Sequence, residues 1–320
     1  MKQFTVKDNE AGQRFDKLLF KILNRAPKGF IYKMLRKKNI VLNGNKAKGS
    51  EILEINDEIK IFFSDETFNK FSETDDAMLV EWDLDIVYED KHILIVNKPL
   101  GLLSQKAYKD DISVVEHIIS YLIDTNQLND RELQTFKPGI CNRLDRNTSG
   151  IIIGGKTLFA LQTISGLIKD RKLDKYYTTI VKGKVTSRQR IEGYLNKDAS
   201  KNKVQVIDHD REGFDYICTE YKPLEYSRDY TLLEVKLITG RSHQIRAHLA
   251  SIGHPIIGDY KYGDININNY FKNKYKLNHQ LLHSNRIAFP IIEDDLSYLS
   301  GKEFQAKAPK IFTNIYKDLF

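Results

Sequence analysis

The sequence predicts an α+β protein of two parts, a small basic N-terminal domain and a larger domain with a mixed, mainly antiparallel sheet. Three observations lead to this fold class. The chain has 320 residues, which is enough for two separate cores. Residues 1–64 hold 14 basic and 7 acidic side chains, whereas residues 65–320 hold 36 of each. Strand and helix patterns beyond residue 80 do not alternate regularly, which argues against a doubly wound parallel sheet.

The N-terminal part is predicted to contain two helices and a small sheet. Apolar residues recur at helical spacing in residues 14–25, and a second short helix follows Pro27. Asn43 and Gly44 after an apolar run are typical of a two-residue hairpin loop, and alternation over residues 59–63 indicates a closing strand. The second helix is expected to bury three side chains, Ile31, Met34 and Leu35.

The larger domain is predicted to follow a linker. Residues 65–79 carry five acidic side chains and one basic side chain with no clear period, so we predict a linker between domains at 1–64 and 80–320. Ser113 is expected to cap a helix. Residues 264–280, rich in Asn and Lys, are expected to form a surface loop. The other expected elements are a hairpin over 84–88 and 93–96, helices over 157–169 and 241–252, and strands over 176–181 and 232–238.

Composition and motifs exclude several function classes. No apolar run reaches the roughly 20 residues of a membrane span, and we expect no signal peptide. The two cysteines are too few for a disulfide framework or a thiolate metal site, so a reducing cytoplasm is expected. The sequence lacks a phosphate-binding loop, a dinucleotide fingerprint, a zinc-protease motif and a serine-hydrolase motif. The common phosphate-, nicotinamide-, zinc- and serine-based chemistries therefore lose their best evidence.

The basic excess of residues 1–64 predicts a polyanionic partner, most simply nucleic acid. A solvated basic face without a partner is the alternative that charge alone leaves open.

Asp145 lies between Arg143 and Arg146 in a polar segment that runs into apolar residues 151–153. Neighbouring guanidinium groups favour the ionised carboxylate, and a positioned carboxylate can act as a nucleophile or stabilise charge. The alternative is an Asx turn with a local ion pair before a buried strand.

Residues 239–248 concentrate hydrogen-bond donors. At helical spacing Arg241, Gln244 and His248 share one face, which suits phosphate or carboxylate binding. The alternatives are a solvated basic helix face and, for His243 and His248, structural hydrogen bonds.

Tyr176 and Tyr177 begin an alternating strand, so one of the two must face inward. That side chain is either part of the core or a platform on which a nucleobase stacks.

These segments resemble the RluA-type pseudouridine synthases that carry an N-terminal S4 RNA-binding domain, and the match covers almost the whole chain. The S4-like segment is closest to the RluC-like branch, which modifies large-subunit ribosomal RNA. In order along the chain, the matching segments are GQRFDKLL, RKKNIVLNG and INDEIKI for the S4 domain, IVYEDKHILIVNKPLGLLS for the first hairpin of the synthase domain, NRLDRNTSGI for the catalytic motif, KYYTTIVKG for the tyrosine motif, TGRSHQIRAHLASIGHPIIGDYKYG for the arginine motif, and LLHSNRIAFP for the closing segment.

The resemblance implies isomerisation of uridine to pseudouridine in RNA, a reaction for which neither a metal nor an organic cofactor is expected. It implies that Asp145 is the catalytic aspartate, Tyr177 the active-site tyrosine, Arg246 the arginine paired with the aspartate, and Arg143 the residue that fills the place of the extruded nucleotide. Asp145 would attack the ribose at C1′, assist elimination there, or add to the base, and the sequence does not separate these routes. One position departs from the family, which usually has His where this chain has Asn142. An amide offers a donor and an acceptor but, unlike an imidazole, cannot carry a proton near neutral pH.

The resemblance also implies a set of substrate contacts and a binding partner. Arg241 and Gln244 are expected to bind the RNA in the synthase domain. The expected partner is 23S ribosomal RNA or a large-subunit assembly intermediate, bound by a monomer in the cytoplasm. Phosphate contacts from the S4-like domain are expected from five basic side chains, Lys28, Lys33, Arg36, Lys37 and Lys38.

Three alternatives compete with this function. The first is an S4-type RNA-binding or ribosome-assembly protein whose synthase domain is inactive, and the presence of Asp145, Tyr177 and Arg246 argues against it. The second is a synthase that acts on transfer RNA. The third, a general DNA-binding protein, has no recognition motif in its favour.

Overall fold

The computed structural model describes residues 1–72, 79–198 and 203–320. It confirms the predicted α+β class: among these residues a four-stranded sheet precedes an eleven-stranded one, and helices pack on both. Within the same ranges, no helix has both the length and the apolar character needed to cross a membrane.

The N-terminal unit has the two helices and the small sheet that the sequence predicted. Its elements are β1 (Lys2–Thr5), α1 (Phe15–Ile22), α2 (Lys28–Arg36), β2 (Ile40–Leu42), β3 (Asn45–Lys46) and β4 (Glu58–Ile61). The strands pair antiparallel in the order β1-β4-β2-β3. Asn43 and Gly44 take φ values of +50° and +73°, as a two-residue hairpin loop with left-handed backbone requires. As predicted, α2 buries Ile31, Met34 and Leu35.

The beginning of the predicted linker is a helix, α3 (Asp65–Phe71). The Ser64 hydroxyl accepts a hydrogen bond from the Thr67 N–H at 3.2 Å, and acidic side chains fill the first turn, where the helix dipole favours them. Phe68 packs into the N-terminal core. Residues 65–71 of the predicted linker are therefore helical and contact the N-terminal core, and residues 73–78 lie outside the described residues. The domain boundaries stay predictions.

The second sheet is mixed and mainly antiparallel, as predicted. Its order is β11-β10-β12-β13-β9-β14-β8-β6-β5, with β15 on β14 and β7 on β8, and among the described strands only β14 and β8 pair in parallel. The elements are β5 (Ile86–Glu89), β6 (Ile93–Lys98), α4 (Val114–Asp124), α5 (Asp130–Thr135), β7 (Gly139–Ile140), β8 (Ser149–Gly155), α6 (Leu158–Lys169), β9 (Asp174–Lys182), β10 (Gln189–Asp198), β11 (Lys203–Ile207), β12 (Asp215–Tyr226), β13 (Tyr230–Leu237), α7 (Gln244–Ser251), α8 (Ile265–Tyr275), β14 (Leu282–Ala288), β15 (Glu303–Gln305) and α9 (Lys310–Leu319).

Two helices of this domain differ from the prediction. The expected loop over residues 264–280 contains α8, because Asp264 caps its first turn and Phe271 is completely buried. That burial outweighs the low helix propensity of its asparagines. The helix predicted from residue 241 begins only at Gln244, because His243 has a left-handed backbone (φ +54°). The capping role of Ser113 is confirmed by a capping box with Glu116.

The parallel pairing of β8 with β14 brings three strands into one row. Ser284 of β14 pairs with Gly150 of β8 on one side and with Tyr177 of β9 on the other. Gly150 has φ +115°, and a Cβ there would lie 2.2 Å from the Ser284 carbonyl oxygen, so only glycine fits. The loop that carries Asp145 leads directly into β8 and therefore ends beside β14, one strand away from β9.

Candidate active site

A cleft of about 650 Å³ lies where the loop before β8, strand β9 and the start of α7 meet. Its walls include Asp145, Tyr177 and Arg246, the three residues predicted to be catalytic, together with Arg143 and Arg241. The volume is in the range of sites that hold a small organic ligand or a single nucleotide. The fold thus brings the separate sequence motifs together at one cavity.

Arg246, on α7, bridges two carboxylates. Its Nε and Nη2 donate to the Oδ2 and Oδ1 atoms of Asp259 at 2.7 and 2.9 Å, and its Nη1 donates to Asp145 Oδ2 at 3.0 Å. Asp259 is 1% exposed and Arg246 8%. Burial by itself lowers the pKa of Arg246, but the hydrogen bonds and charges of Asp259 and Asp145 raise it, so the guanidinium remains charged. The two hydrogen bonds to Asp259 fix the plane of the guanidinium group and therefore the direction of its bond to Asp145.

Asp145 keeps one carboxylate oxygen available. Its side chain is 32% exposed toward the cleft, and Oδ2 accepts from Arg246. Oδ1 has no donor among the described residues. A carboxylate held at one oxygen and open at the other suits attack on a substrate carbon.

The partner of Asp145 is more distant in sequence than expected. The sequence interpretation placed Arg143 and Arg146 beside the carboxylate, yet both are exposed, and the ion pair that forms is with Arg246, 101 residues away. The chain does turn here, but through a main-chain hydrogen bond from Thr148 N–H to the Asp145 carbonyl at 3.0 Å, and not through the side-chain oxygen that an Asx turn uses. The local ion pair with the flanking arginines is therefore wrong.

Ser104 and Asn142 anchor the loop that carries Asp145. The Ser104 hydroxyl both accepts from Leu144 N–H and donates to its carbonyl, at 2.9 and 2.7 Å. The Asn142 amide donates to the Ile151 carbonyl at 2.9 Å and accepts from Ile153 N–H at 2.8 Å. Asn142 thus acts like an extra peptide group against β8, and both polar atoms of its amide are used in holding the loop.

Lys98 is a buried cation beneath the same loop, and no sequence argument had selected it. It is 1% exposed, and its Nζ donates to the carbonyls of Pro99, Leu102 and Arg146 at 2.8, 2.9 and 3.0 Å. Burial lowers the pKa of Lys98 to about 8, against the opposing charge of Asp145. The sequence feature that could have pointed to Lys98 is its position as a lysine at the end of a strongly apolar strand.

Tyr177 is the inward-facing tyrosine of the pair and is 5% exposed. Burial raises the pKa of Tyr177 to about 12. The phenol is therefore protonated at neutral pH, which favours a packing or hydrogen-bonding role over direct removal of a proton. Tyr176 faces the other way and packs under the Arg286 guanidinium, 3.7 Å from the ring centre.

His243 and Tyr262 complete the cleft beside Asp145. Tyr262 Oη accepts from Val204 N–H at 2.9 Å and lies 2.9 Å from His243 Nδ1, which leaves the phenolic proton for that nitrogen. This assigns the ring proton to Nε2, which lies 3.8 Å from Asp145 Oδ2. Burial lowers the pKa of His243, so the neutral ring is favoured. The signal for Tyr262 and Asp259 was their place in the segment GDYKYG.

Two comparisons with known proteins point to one family. The family described as RNA pseudouridylate synthase matches residues 92–251. An uncharacterized RNA pseudouridine synthase of Mycoplasma genitalium is 33% identical over 320 residues, covering 95% of both chains.

The chain belongs to the RNA pseudouridine synthase family. It is of the RluA type, as its motifs predicted, and it isomerises uridine in RNA. Similar proteins include the ribosomal large subunit pseudouridine synthase D of Borreliella burgdorferi, 31% identical over 99% of this chain and 93% of that one. Another is the ribosomal large subunit pseudouridine synthase C of Buchnera aphidicola, 30% identical over 95% and 92%. The solved structure of human RNA pseudouridylate synthase domain containing 4 shares the fold, with a TM-score of 0.57, 21% identity, and coverage of 73% of this chain and 92% of that one.

Arg241 and Gln244, the two substrate contacts predicted in the synthase domain, lie in different surroundings. Arg241 lies at the rim of the cleft, half exposed, with Nη2 3.0 Å from Asp215 Oδ1. Gln244 is 2% exposed, and its amide bonds Thr239, Cys218 and Thr219 as well as the backbone of Arg241. These bonds occupy both ends of the amide, although Gln244 also lines the cleft, and its contact with substrate stays a prediction.

His248 is also structural. It is 2% exposed, its Nδ1 lies 3.1 Å from the Thr219 hydroxyl, and burial lowers its pKa to about 4. The predicted shared face of Arg241, Gln244 and His248 does not form, because the helix begins only at Gln244.

The predicted phosphate contacts of the synthase lie on and just after α2. All five of these side chains are exposed, and within the described residues none of them forms an ion pair. The five are Lys28, Lys33, Arg36, Lys37 and Lys38. They leave an uncompensated positive surface on the N-terminal domain.

Proposed function

We propose that this synthase isomerises uridines of the large-subunit (23S) ribosomal RNA, with Asp145 as its catalytic carboxylate. The observation that carries the catalytic assignment is the bridge from Asp259 through Arg246 to Asp145, at the wall of a nucleotide-sized cleft. The ribosomal target is supported by relatives named large subunit synthases, which align over more than nine-tenths of the chain, including the N-terminal domain.

The reaction breaks the bond between C1′ of the ribose and N1 of uracil, turns the base and joins C1′ to C5. C5 then loses its proton and N1 gains one, so that the product is an isomer of the substrate. Asp145 attacks C1′, assists elimination there or adds to the base, and each route needs an ionised carboxylate with a free oxygen. Arg246 places a positive charge against Oδ2 of the carboxylate, and Oδ1 is open toward the cleft. Tyr177 lines the cleft where the base turns, with its phenol protonated.

The target uridine has to leave its stack before it reaches Asp145. Extrusion costs a few kcal/mol and is least costly in single-stranded or irregular RNA. Arg143 is exposed at the cleft and is the side chain proposed to take the place of the extruded nucleotide. The exposed cations of α2 are proposed to hold the surrounding RNA through phosphate contacts, which do not depend on sequence.

Asp145→Asn tests this function. We expect pseudouridine formation to fall roughly a thousandfold or more, because the amide cannot act as the carboxylate does, whereas RNA affinity stays near that of the wild type. The measurements are tritium release from C5-labelled uridine RNA and a filter-binding constant. Asp208→Asn makes the same chemical change at an exposed position and serves as the matched control. Activity retained by Asp145→Asn would remove the carboxylate from its role.

Chemical mapping of pseudouridine in cells that lack the protein tests the RNA target. We expect signals to disappear from large-subunit ribosomal RNA, and to return with the wild type but not with Asp145→Asn. Signals lost only from transfer RNA would replace the ribosomal target with that alternative. If no position in any RNA changed, the non-catalytic alternative would be favoured.

A further inference from the structure

Lys175 projects into the active-site cleft from β9. It lies two residues before Tyr177, so both side chains stand on the same face of the strand, and both line the cavity. Its Nζ lies 3.5 Å from the point where a Cβ on Gly240 would sit. The ammonium therefore lies against the loop that begins at residue 239, across the cavity from β9.

The ammonium of Lys175 has no partner among the residues the structure describes. The nearest acid in sequence, Asp174, is bonded by Lys236 Nζ at 2.7 Å and by the Tyr176 hydroxyl at 3.2 Å. The carboxylates of Asp145, which lines the cleft, and of Asp259, which is 1% exposed, both accept hydrogen bonds from Arg246.

Burial lowers the pKa of Lys175, and no neighbouring charge opposes this shift. Removing an ammonium from water without an anion costs free energy, and an anion that arrives with the substrate offsets this cost. The ammonium is a compact donor with freely rotating protons, which suits a phosphate oxygen as a point charge.

We propose that Lys175 binds a phosphodiester group next to the uridine that enters the cleft. This inference rests on the proposed function only in placing that uridine beside Asp145 and Tyr177. Side chains two residues apart on a strand are about 7 Å apart, which resembles the spacing of base and phosphate within one nucleotide. Lys175 thus binds the phosphate of the extruded nucleotide, and Tyr177 contacts its base.

Single neutral linkages in a synthetic RNA test this contact. The RNA is a short fragment in which the wild type forms pseudouridine, with the phosphate 5′ or 3′ of that uridine replaced by methylphosphonate in separate molecules. We expect Lys175→Met to weaken the binding constant for the all-phosphate RNA about tenfold, the typical loss for one charge-assisted hydrogen bond. One of the two neutral linkages should weaken wild-type binding by a similar factor and leave Lys175→Met binding unchanged.

Three further measurements separate this contact from a structural role. Lys175→Arg should recover part of the affinity, because it restores a positive donor. Lys175→Met should melt at or above the wild-type temperature, since it removes a half-buried ammonium without a partner. Lys172→Met, at an exposed position just before β9, should bind as the wild type does and lose affinity on the same neutral linkage.

Other results would overturn the contact. If Lys175→Met and the neutral linkage reduced affinity independently at both positions, Lys175 would not bind either phosphate. If Lys175→Met lost its penalty only when a uracil carbonyl was replaced, the base would be its partner. Absence of pseudouridine in ribosomal RNA would contradict the proposed target, but the linkage comparison is made on whichever RNA the wild type modifies, so the two failures are distinguishable.

Discussion

The cleft and the surface of α2 are both rich in charge, but they are built in opposite ways. In the cleft, Asp145, Arg246 and Asp259 are linked by three hydrogen bonds of 2.7 to 3.0 Å, and Asp259 is almost completely buried. On α2 the cations Lys33 and Arg36 are exposed, with no ion pair among the described residues. The first arrangement fixes the direction of a chemical group, whereas the second creates a field that acts over several ångströms without fixing a direction.

This contrast separates two kinds of contribution to one reaction. Charges buried in a cavity interact strongly, and small displacements change the outcome. Exposed charges are screened by salt, and their effect on RNA binding comes largely from the release of counterions. Substitutions in the two regions should therefore differ in which quantity they change, and three experiments probe that division.

Arg246→Lys should have the largest effect. Lysine keeps the charge but loses the planar group that holds Asp259 with two nitrogens and Asp145 with the third. We expect kcat to fall by roughly two orders of magnitude with KM changed little, together with a lower melting temperature because a carboxylate that is 1% exposed is left poorly paired.

Steady-state kinetics on RNA and a thermal melt measure the two effects of Arg246→Lys. Arg190→Lys, an exposed arginine paired with Glu192, is the matched control. If only KM changed, Arg246 would contribute to RNA binding, as the α2 surface does, and the contrast between the two regions would be wrong.

The buried ammonium of Lys98 should have an intermediate effect, which appears in the pH dependence of the free energy of unfolding. Its folded pKa of about 8 lies below its ordinary value of 10.5. Between those pH values the unfolded chain binds more protons than the folded one, so the free energy of unfolding should rise with pH, by about 3 kcal/mol over the window. This contribution is complete above the unfolded pKa and is lost as the pH falls through about 8.

Urea unfolding of the wild type and Lys98→Met between about pH 8 and pH 10 measures this contribution. The stability difference between the two proteins should shift in favour of the wild type as the pH rises. Lys33→Met, which removes an exposed lysine of α2, is the control. A difference that did not change with pH would show that the three carbonyls hold the ammonium without a cost of burial.

Removing charge from α2 should have the smallest effect and should leave the chemistry intact. For the triple substitution Lys33→Gln, Arg36→Gln and Lys37→Gln, we expect RNA affinity to fall roughly tenfold at moderate salt, with kcat at saturating RNA unchanged. The slope of log affinity against log salt should become shallower by about 0.7 to 0.9 for each phosphate that the variant no longer neutralises.

Binding isotherms at several salt concentrations measure the slope for the α2 variant. The same triple change at exposed lysines of the synthase domain, Lys169, Lys172 and Lys317, provides a control for net charge. An equal loss in both variants would mean that overall charge, and not the α2 surface, attracts the RNA.

Much of the fold and part of the site were predictable from the sequence, because those features depend on local pattern. The helices α1 and α2 follow apolar spacing, and the capping role of Ser113 follows its place before a helical pattern. Asp145, Tyr177 and Arg246 were found through motif resemblance, and the cleft does bring them together.

The features that sequence reasoning missed depend on contacts between distant segments. Asp145 pairs across 101 residues, so its flanking arginines gave the wrong partner. Helix α8 is stabilised by the burial of Phe271, which no local propensity reports. Lys98 and Gln244 owe their roles to backbone groups that meet them only in the folded chain. Local composition cannot show which polar groups will be enclosed together.

The row formed by Gly150, Ser284 and Tyr177 across three strands sets a dimension of the active site. Because Gly150 has no side chain, β14 can approach β8 closely, and β14 in turn carries β9 toward the loop of Asp145. A side chain at residue 150 would push β14 away from β8, and because β14 also pairs with β9, it would shift Tyr177 relative to the loop of Asp145 without altering any functional group in the cleft.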